Sequence, residues 1–134
     1  MTLATARVRV RYAETDQMGV AHHGNYFAWF EVGRTHLLRE LGFCYRDLER
    51  QGIRLPVIET HVRYLQPAYY DDELEIQTRL SLKSGARLSF AYEVHRVGSA
   101  EAPTPLTTAL TEHAAVDPRG RPRRLPAELR SRLS

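Results

Sequence analysis

Lysine and cysteine are almost missing from this chain: Lys83 and Cys44 are the only examples of each. A lone thiol cannot close an intrachain disulfide, which fits a reducing, cytoplasmic compartment. Long apolar runs are also missing, and none approaches the ~20 residues that a membrane helix needs. Arg7, Arg9 and Arg11 interrupt the N-terminus, so it carries no apolar stretch of the signal-peptide kind. The GxSxG, P-loop and dinucleotide fingerprints are absent, as are the HExxH and CxxC spacings of metal sites, so no metal is expected. No aromatic residue follows Tyr92, which leaves Arg119, Arg121, Arg123 and Arg124 without stacking partners for nucleic acid. With a formal net charge of only +3, neither nucleic acid nor a membrane is an expected partner.

What is present reads as one domain spanning 1–134. Apolar residues make up 43% and charged residues 26%, enough for a core and against disorder. Arg and Val alternate from Ala6 to Tyr12, the period of a half-buried strand. From Gly24 the period changes to three-and-four spacing through Tyr26, Phe27, Phe30, Gly33, Leu37, Leu38 and Leu41, until Gly42 ends it. About 18 residues at 1.5 Å each make a helix of roughly 27 Å, capped by Gly24 or Asn25. A short helix from Tyr45 to Gln51 is closed by Gly52. Strands follow over Leu55–Leu65, Glu73–Leu82, Arg87–Val97 and Leu106–Val116. Lys83–Ala86 is read as a hairpin turn whose glycine supplies unusual angles, and Gly98–Pro105 as a loop. Leu88, Phe90, Tyr92 and Val94 share one face of their strand. The Pro- and Arg-rich tail, 117–134, has Pro126 placed to open a short final helix. A helix followed by antiparallel strands is α+β architecture.

The chemistry concentrates between Tyr12 and Arg34. Asp16 sits in a polar turn, and His23-Gly24-Asn25 follows seven residues later at the start of the long helix. A helix N-terminus carries unpaired N–H groups and about half a positive charge, so the backbone of His23 and Gly24 can hold an oxygen that gains negative charge. A carboxylate beside such a terminus is equipment for attacking an activated carbonyl, directly or through water. Glu31, within the helix, is the rival carboxylate. Glu14 reads as a solvated charge or a partner of Arg11. Tyr26 and Phe27, in the first helical turn, are candidates to line a pocket. Arg63, Lys83 and Arg87 could each bind phosphate.

The run from Arg11 to Arg39, with the Asp16 turn and the downstream His-Gly-Asn-Tyr, resembles the 4-hydroxybenzoyl-CoA thioesterase-like family, including its Tol-Pal-cluster acyl-CoA thioesterases. The segment from His61 to Glu73 resembles the family's second strand and following turn, and the likeness thins towards Val116 without reaching the tail. The resemblance implies a hotdog fold, an antiparallel sheet of about five strands wrapped round a long central helix. It implies hydrolysis of an acyl-CoA to free acid and coenzyme A, with Asp16 as nucleophile or general base and no cofactor beyond the coenzyme A of the substrate. It also implies a homo-oligomer, a dimer that commonly pairs into a homotetramer. Two other readings stay open: a dehydratase or hydratase of the same fold, and a non-catalytic module that binds acyl-CoA or an acyl carrier.

Overall fold

The computed structural model describes residues 2–98 and 104–133. Five strands form one antiparallel sheet: β1 (Thr2–Arg9), β2 (Val57–Tyr64), β3 (Glu73–Ser84), β4 (Arg87–Arg96) and β5 (Thr107–Ala114), in the order β1-β3-β4-β5-β2. Three α-helices accompany it among the described residues: α1 (Asn25–Glu40), α2 (Tyr45–Arg50) and α3 (Ala127–Leu133). The architecture is α+β and the fold is the hotdog. Of the loop expected at Gly98–Pro105, residues 99–103 lie outside the described residues.

Helix α1 lies across β1, β3 and β4 and buries Tyr26, Trp29, Phe30, Gly33, Leu37 and Leu38. The spacing of those residues is what makes the helix stable here, because an isolated helix of this length is marginal in water. The opposing face comes from alternate residues of β3 (Leu74, Ile76, Thr78, Leu80) and β4 (Leu88, Phe90, Tyr92, Val94), all 2% exposed or less. Each such large side chain contributes about 1.5–3 kcal/mol by leaving water. The closest approach is at Gly33, where an added Cβ would stand 2.3 Å from Thr78 Oγ1 and 3.0 Å from Ile76 Cγ2. Only glycine lets the helix axis come so near β3. At the other end Gly42 has φ +90°, the Phe43 N–H bonds the Leu38 carbonyl at 2.8 Å and the Gly42 N–H bonds Arg39 O at 2.9 Å. This paired closure satisfies carbonyls that the helix leaves open.

A polar chain crosses the core under the helix. Arg34 Nη1 donates to the Tyr92 hydroxyl (3.1 Å), which lies 2.6 Å from Thr111 Oγ1; Thr111 is 2.8 Å from His113 Nε2, and His113 Nδ1 is 2.9 Å from Leu55 O. With His113 neutral, its direction is forced. A guanidinium only donates and a carbonyl only accepts, so Nδ1 carries the imidazole proton, Thr111 donates to Nε2, and Tyr92 donates to Thr111. Burial pushes the His113 pKa down, and the nearby Arg34 charge adds to that.

Three expectations need correcting. The first strand ends at Arg9, not Tyr12, because Tyr12–Glu14 turn into a short 3-10 helix. Arg7 and Arg9 do alternate outward and pair across the sheet with Glu73 and Glu75. Of the two readings of Glu14, the solvated charge fails and the partner of Arg11 holds: the side chain is buried, accepts the Arg11 backbone N–H at 2.7 Å and pairs with the Arg11 guanidinium at 3.4 Å. Finally, Gly85 in the β3–β4 hairpin has no left-handed φ. An added Cβ there would stand 3.2 Å from the Arg124 guanidinium, the movable end of a side chain.

Candidate active site

The Asp16 turn is sewn to the segment that leads into β3. Val10 N–H bonds Asp72 O (2.9 Å), Asp71 N–H bonds Val10 O (2.9 Å), and Ala21 N–H bonds Ala68 O (2.7 Å). Within the turn, Asp16 N–H bonds Val20 O and Gly19 N–H bonds Asp16 O, both at 2.9 Å. Glu14 O holds the turn to the helix start, accepting from His22 N–H (2.8 Å) and from Asn25 Nδ2 (2.7 Å). Asn25 therefore ties the helix to the loop instead of capping it; the N-cap position is Gly24. The opposite rim is fixed by Arg96, which donates to Asp72 Oδ2 (3.0 Å) and Pro67 O (2.9 Å).

A cleft of about 270 Å³ opens between these parts, lined by Asp16, Met18, Val20, Ala21, His23, Tyr26 and the Tyr64–Pro67 segment. One Asp16 oxygen, Oδ1, accepts the Met18 N–H at 2.8 Å; Oδ2 accepts none among the described residues. The His23 carbonyl accepts from Tyr64 OH (3.1 Å) and from Tyr26 N–H (3.3 Å), while its own N–H has no acceptor among the described residues. The His23 ring lies tilted by 32° against His22 at 4.3 Å and meets Tyr64 edge-on. Burial pushes the Tyr26 hydroxyl pKa up.

The cleft thus brings together Asp16, His23 and Tyr26 of the residues singled out from the sequence, and it leaves the others elsewhere. Gly24 N–H turns away onto His22 Nδ1 at 3.1 Å. Phe27 is 48% exposed and packs beside Phe30, because neighbouring helical residues point about 100° apart. Glu31 lines a separate groove of about 660 Å³ between α1 and β1, with Arg7, Val32 and His36. Arg63 stands exposed on β2. Lys83 and Arg87 flank the hairpin at the far end of β3, whose 12 residues span about 36 Å at the usual rise. There Lys83, Arg124 and Arg130 line another cleft of about 420 Å³. Tyr64, Leu65, Gln66 and Pro67 line the Asp16 cleft without having been singled out. Their signal was their place in the His61–Glu73 run, directly past a strand end. No three His, Cys, Asp or Glu side chains stand together as a metal site among the described residues. No helix among them is long and apolar enough to cross a membrane.

A carboxylate and a helix terminus set at the mouth of a hotdog fold define a class, and comparison with known proteins makes it definite. Residues 10–133 match the family model of the thioesterase-like superfamily, and the chain belongs to that family. The match includes the arginine-rich tail, which the sequence resemblance did not reach. The chain is 38% identical over 95 residues to the putative acyl-CoA thioesterase YneP of Bacillus subtilis, covering 71% of this chain and 69% of that one. It is 37% identical over 129 residues to the acyl-CoA thioester hydrolase YbgC of Escherichia coli O6:H1, covering 96% and 93%. The solved DHNA-CoA thioesterase of Staphylococcus aureus superposes with a TM-score of 0.84 at 36% identity, over 93% of this chain and 82% of that one.

Proposed function

We propose that this protein hydrolyses acyl-CoA thioesters to a free acid and coenzyme A, with Asp16 as the reacting carboxylate. The observation that carries the reading is that Asp16 and His23 line one cleft, and that one Asp16 oxygen and the His23 N–H beside the start of α1 are unengaged among the described residues. The names of its relatives support the same reaction. In one route Asp16 attacks the thioester carbon, the C–S bond breaks, coenzyme A leaves as thiolate, and water then cleaves the acyl anhydride. In the other Asp16 takes a proton from water as the water attacks, and the proton passes to the departing sulfur. Both routes place negative charge on the former carbonyl oxygen, which His23 N–H receives; Gly24 N–H joins it when the His22 ring swings aside. Such donors are worth roughly 2.7–4 kcal/mol each in comparable sites. The reaction as written needs no separate cofactor.

Phosphate recognition falls to the cationic hairpin, Lys83 and Arg87 with Arg124 beside them, or to Arg63 on β2. The working unit is a homo-oligomer, a dimer or tetramer. Edge strand β2 exposes Val57, Ile58 and Tyr64 and leaves one row of N–H and C=O groups without a strand partner among the described residues. Pairing two such edges across a two-fold axis covers them and brings the seam beside Tyr64 and Leu65 of the cleft. The half-buried free thiol of Cys44 suits a reducing cytoplasm.

Thiol release from a panel of acyl-CoA substrates tests the reaction, and light scattering at micromolar concentration tests the assembly. Binding without release from any substrate would make the protein a binding module instead. A monomer that hydrolyses at full rate would remove the seam from the account.

A further inference from the structure

The peptide that joins His23 to Gly24 is held at both ends. Its carbonyl accepts from Tyr64 OH at 3.1 Å and from Tyr26 N–H at 3.3 Å, and its N–H donates to His22 Nδ1 at 3.1 Å. His22 and Tyr26 are near neighbours in the chain, whereas Tyr64 stands 41 residues from His23. Tyr64 ends β2, still paired with Thr107 of β5, and the next residue, Leu65, donates its N–H to Leu106 O at 2.9 Å. Its ring meets Tyr26 at 5.1 Å and His23 at 6.2 Å, both edge-on. Partial burial pushes the Tyr64 pKa up, so the hydroxyl remains a donor at neutral pH.

Gly24 makes that hold necessary. It sits at φ −65° and ψ −23°, angles open to any residue, but without a Cβ it can also reach positive φ. Turning the His23–Gly24 peptide over changes ψ of His23 and carries Gly24 into that region, which other residues avoid. A carbonyl oxygen would then stand where the Gly24 N–H stood. The negative end of a peptide dipole would replace the positive end beside the helix start, the wrong sign for an oxygen gaining negative charge. We propose that Tyr64 is a positioning residue for the hydrolysis: its hydroxyl, carried on edge strand β2, keeps this peptide from turning over and so preserves the donors that receive the oxyanion. This rests on the thioesterase reading and adds a residue to it. The role belongs to the oxygen atom, since the ring contacts survive without it.

The test is Tyr64→Phe, which keeps the ring and removes the hydroxyl. With the acyl-CoA that wild type hydrolyses fastest, kcat should fall ~10-fold while KM stays within about two-fold. Gly24→Ala supplies a readout that a merely structural role would not move. Alanine fits the observed angles and disfavours the turned-over peptide. Its Cβ would stand 3.3 Å from His22 Nδ1, on an exposed ring with room to shift. Added to Tyr64→Phe, it should restore kcat to within about three-fold of Gly24→Ala alone. Hydrogen exchange of the Gly24 amide, followed by NMR without substrate, should quicken ~10-fold in Tyr64→Phe. Wild-type kcat in Tyr64→Phe overturns the proposal. So does a double variant no faster than Tyr64→Phe, which would put the hydroxyl on the substrate itself. If no acyl-CoA releases thiol, the hydrolase reading fails, while Gly24 exchange still decides whether Tyr64 holds the peptide.

Discussion

In the core, Tyr92, Thr111 and His113 form a chain in which every side-chain hydrogen bond runs one way, ending on Leu55 O. Arg34 Nε, at its start, lacks a partner among the described residues, as do Thr78 Oγ1 and Thr107 Oγ1 elsewhere in the core. In the cleft, Asp16 Oδ2 and the His23 N–H have no partner among the described residues, and both residues line a space that a ligand can enter. Both regions are built from polar groups near helix α1. A filled network fixes the fold, whereas groups left open at a helix terminus keep their interaction energy for a substrate. Substitutions in the two regions should therefore fail in different ways: cleft variants should lose rate and keep stability, and core variants the reverse.

The largest effect is expected at Asp16. Asp16→Asn keeps an oxygen to accept the Met18 N–H, so the turn should persist and thermal unfolding should match wild type. Turnover should fall by ~10²–10⁴. Should Asp16→Asn remain active while Glu31→Gln is dead, the reacting carboxylate lies in the α1–β1 groove instead. Next comes Tyr92→Phe, which removes one hydroxyl from the core and leaves Arg34 and Thr111 each short of a partner. It should cost about 1–3 kcal/mol in denaturant unfolding with kcat per folded molecule nearly intact. A stability loss below that range would mean the chain contributes little.

The core chain also carries a pH dependence that the cleft does not share. His113 must be neutral for Thr111 to donate to Nε2, and burial lowers its folded-state pKa below the ordinary 6.5. The unfolded state then binds more protons than the folded state between those two values. Its stabilising effect is complete above about pH 6.5 and declines as pH falls below that. The charged groups acting on it are Arg34, which lowers the pKa, and Glu112, which raises it. Unfolding free energy measured from pH 7.5 to 5.5 should fall less steeply in His113→Gln than in wild type. Equal slopes would assign the acid sensitivity to carboxylates.

Much of the fold is legible in local spacing. The three-and-four rhythm from Tyr26 to Leu41 and the stop at Gly42 define α1, and alternation defines the buried face of β4. Local spacing does not show which strands pair, and the cleft depends on pairing. Tyr64–Pro67 reach Asp16 across more than forty residues of sequence only because β2 joins β5 and the segment before β3 joins Val10 and Ala21. Side-chain capture is equally invisible: nothing in the sequence His22-His23-Gly24 says that the first ring takes the third residue's N–H. Tyr26 and Phe27 look equivalent in the sequence, yet one walls the cleft and the other faces out.

The smallest effect, and the sharpest test of how far the active region extends, concerns the hairpin. Lys83 lies about 33 Å along β3 from the Asp16 end, by the usual rise per residue, with Arg87 across the hairpin on β4. If they bind the phosphates of coenzyme A, they act from a distance that points to a substrate lying across two copies of the chain, one supplying Asp16 and the other the hairpin. Removing both charges, as Lys83→Gln with Arg87→Gln, should then raise KM by several-fold, roughly 1 kcal/mol for partly screened charges, with kcat largely kept. The slope of KM against salt should flatten in the same variant, because fewer charges remain to be screened. Covalently free mixtures of this variant with Asp16→Asn add a check, since subunit exchange would regenerate one seam with both parts intact. Recovery of activity in the mixture at wild-type KM would place the two ends of the sheet in one site. An unchanged KM in the double variant would confine the site to the Asp16 cleft and leave Arg63 as the cation to test.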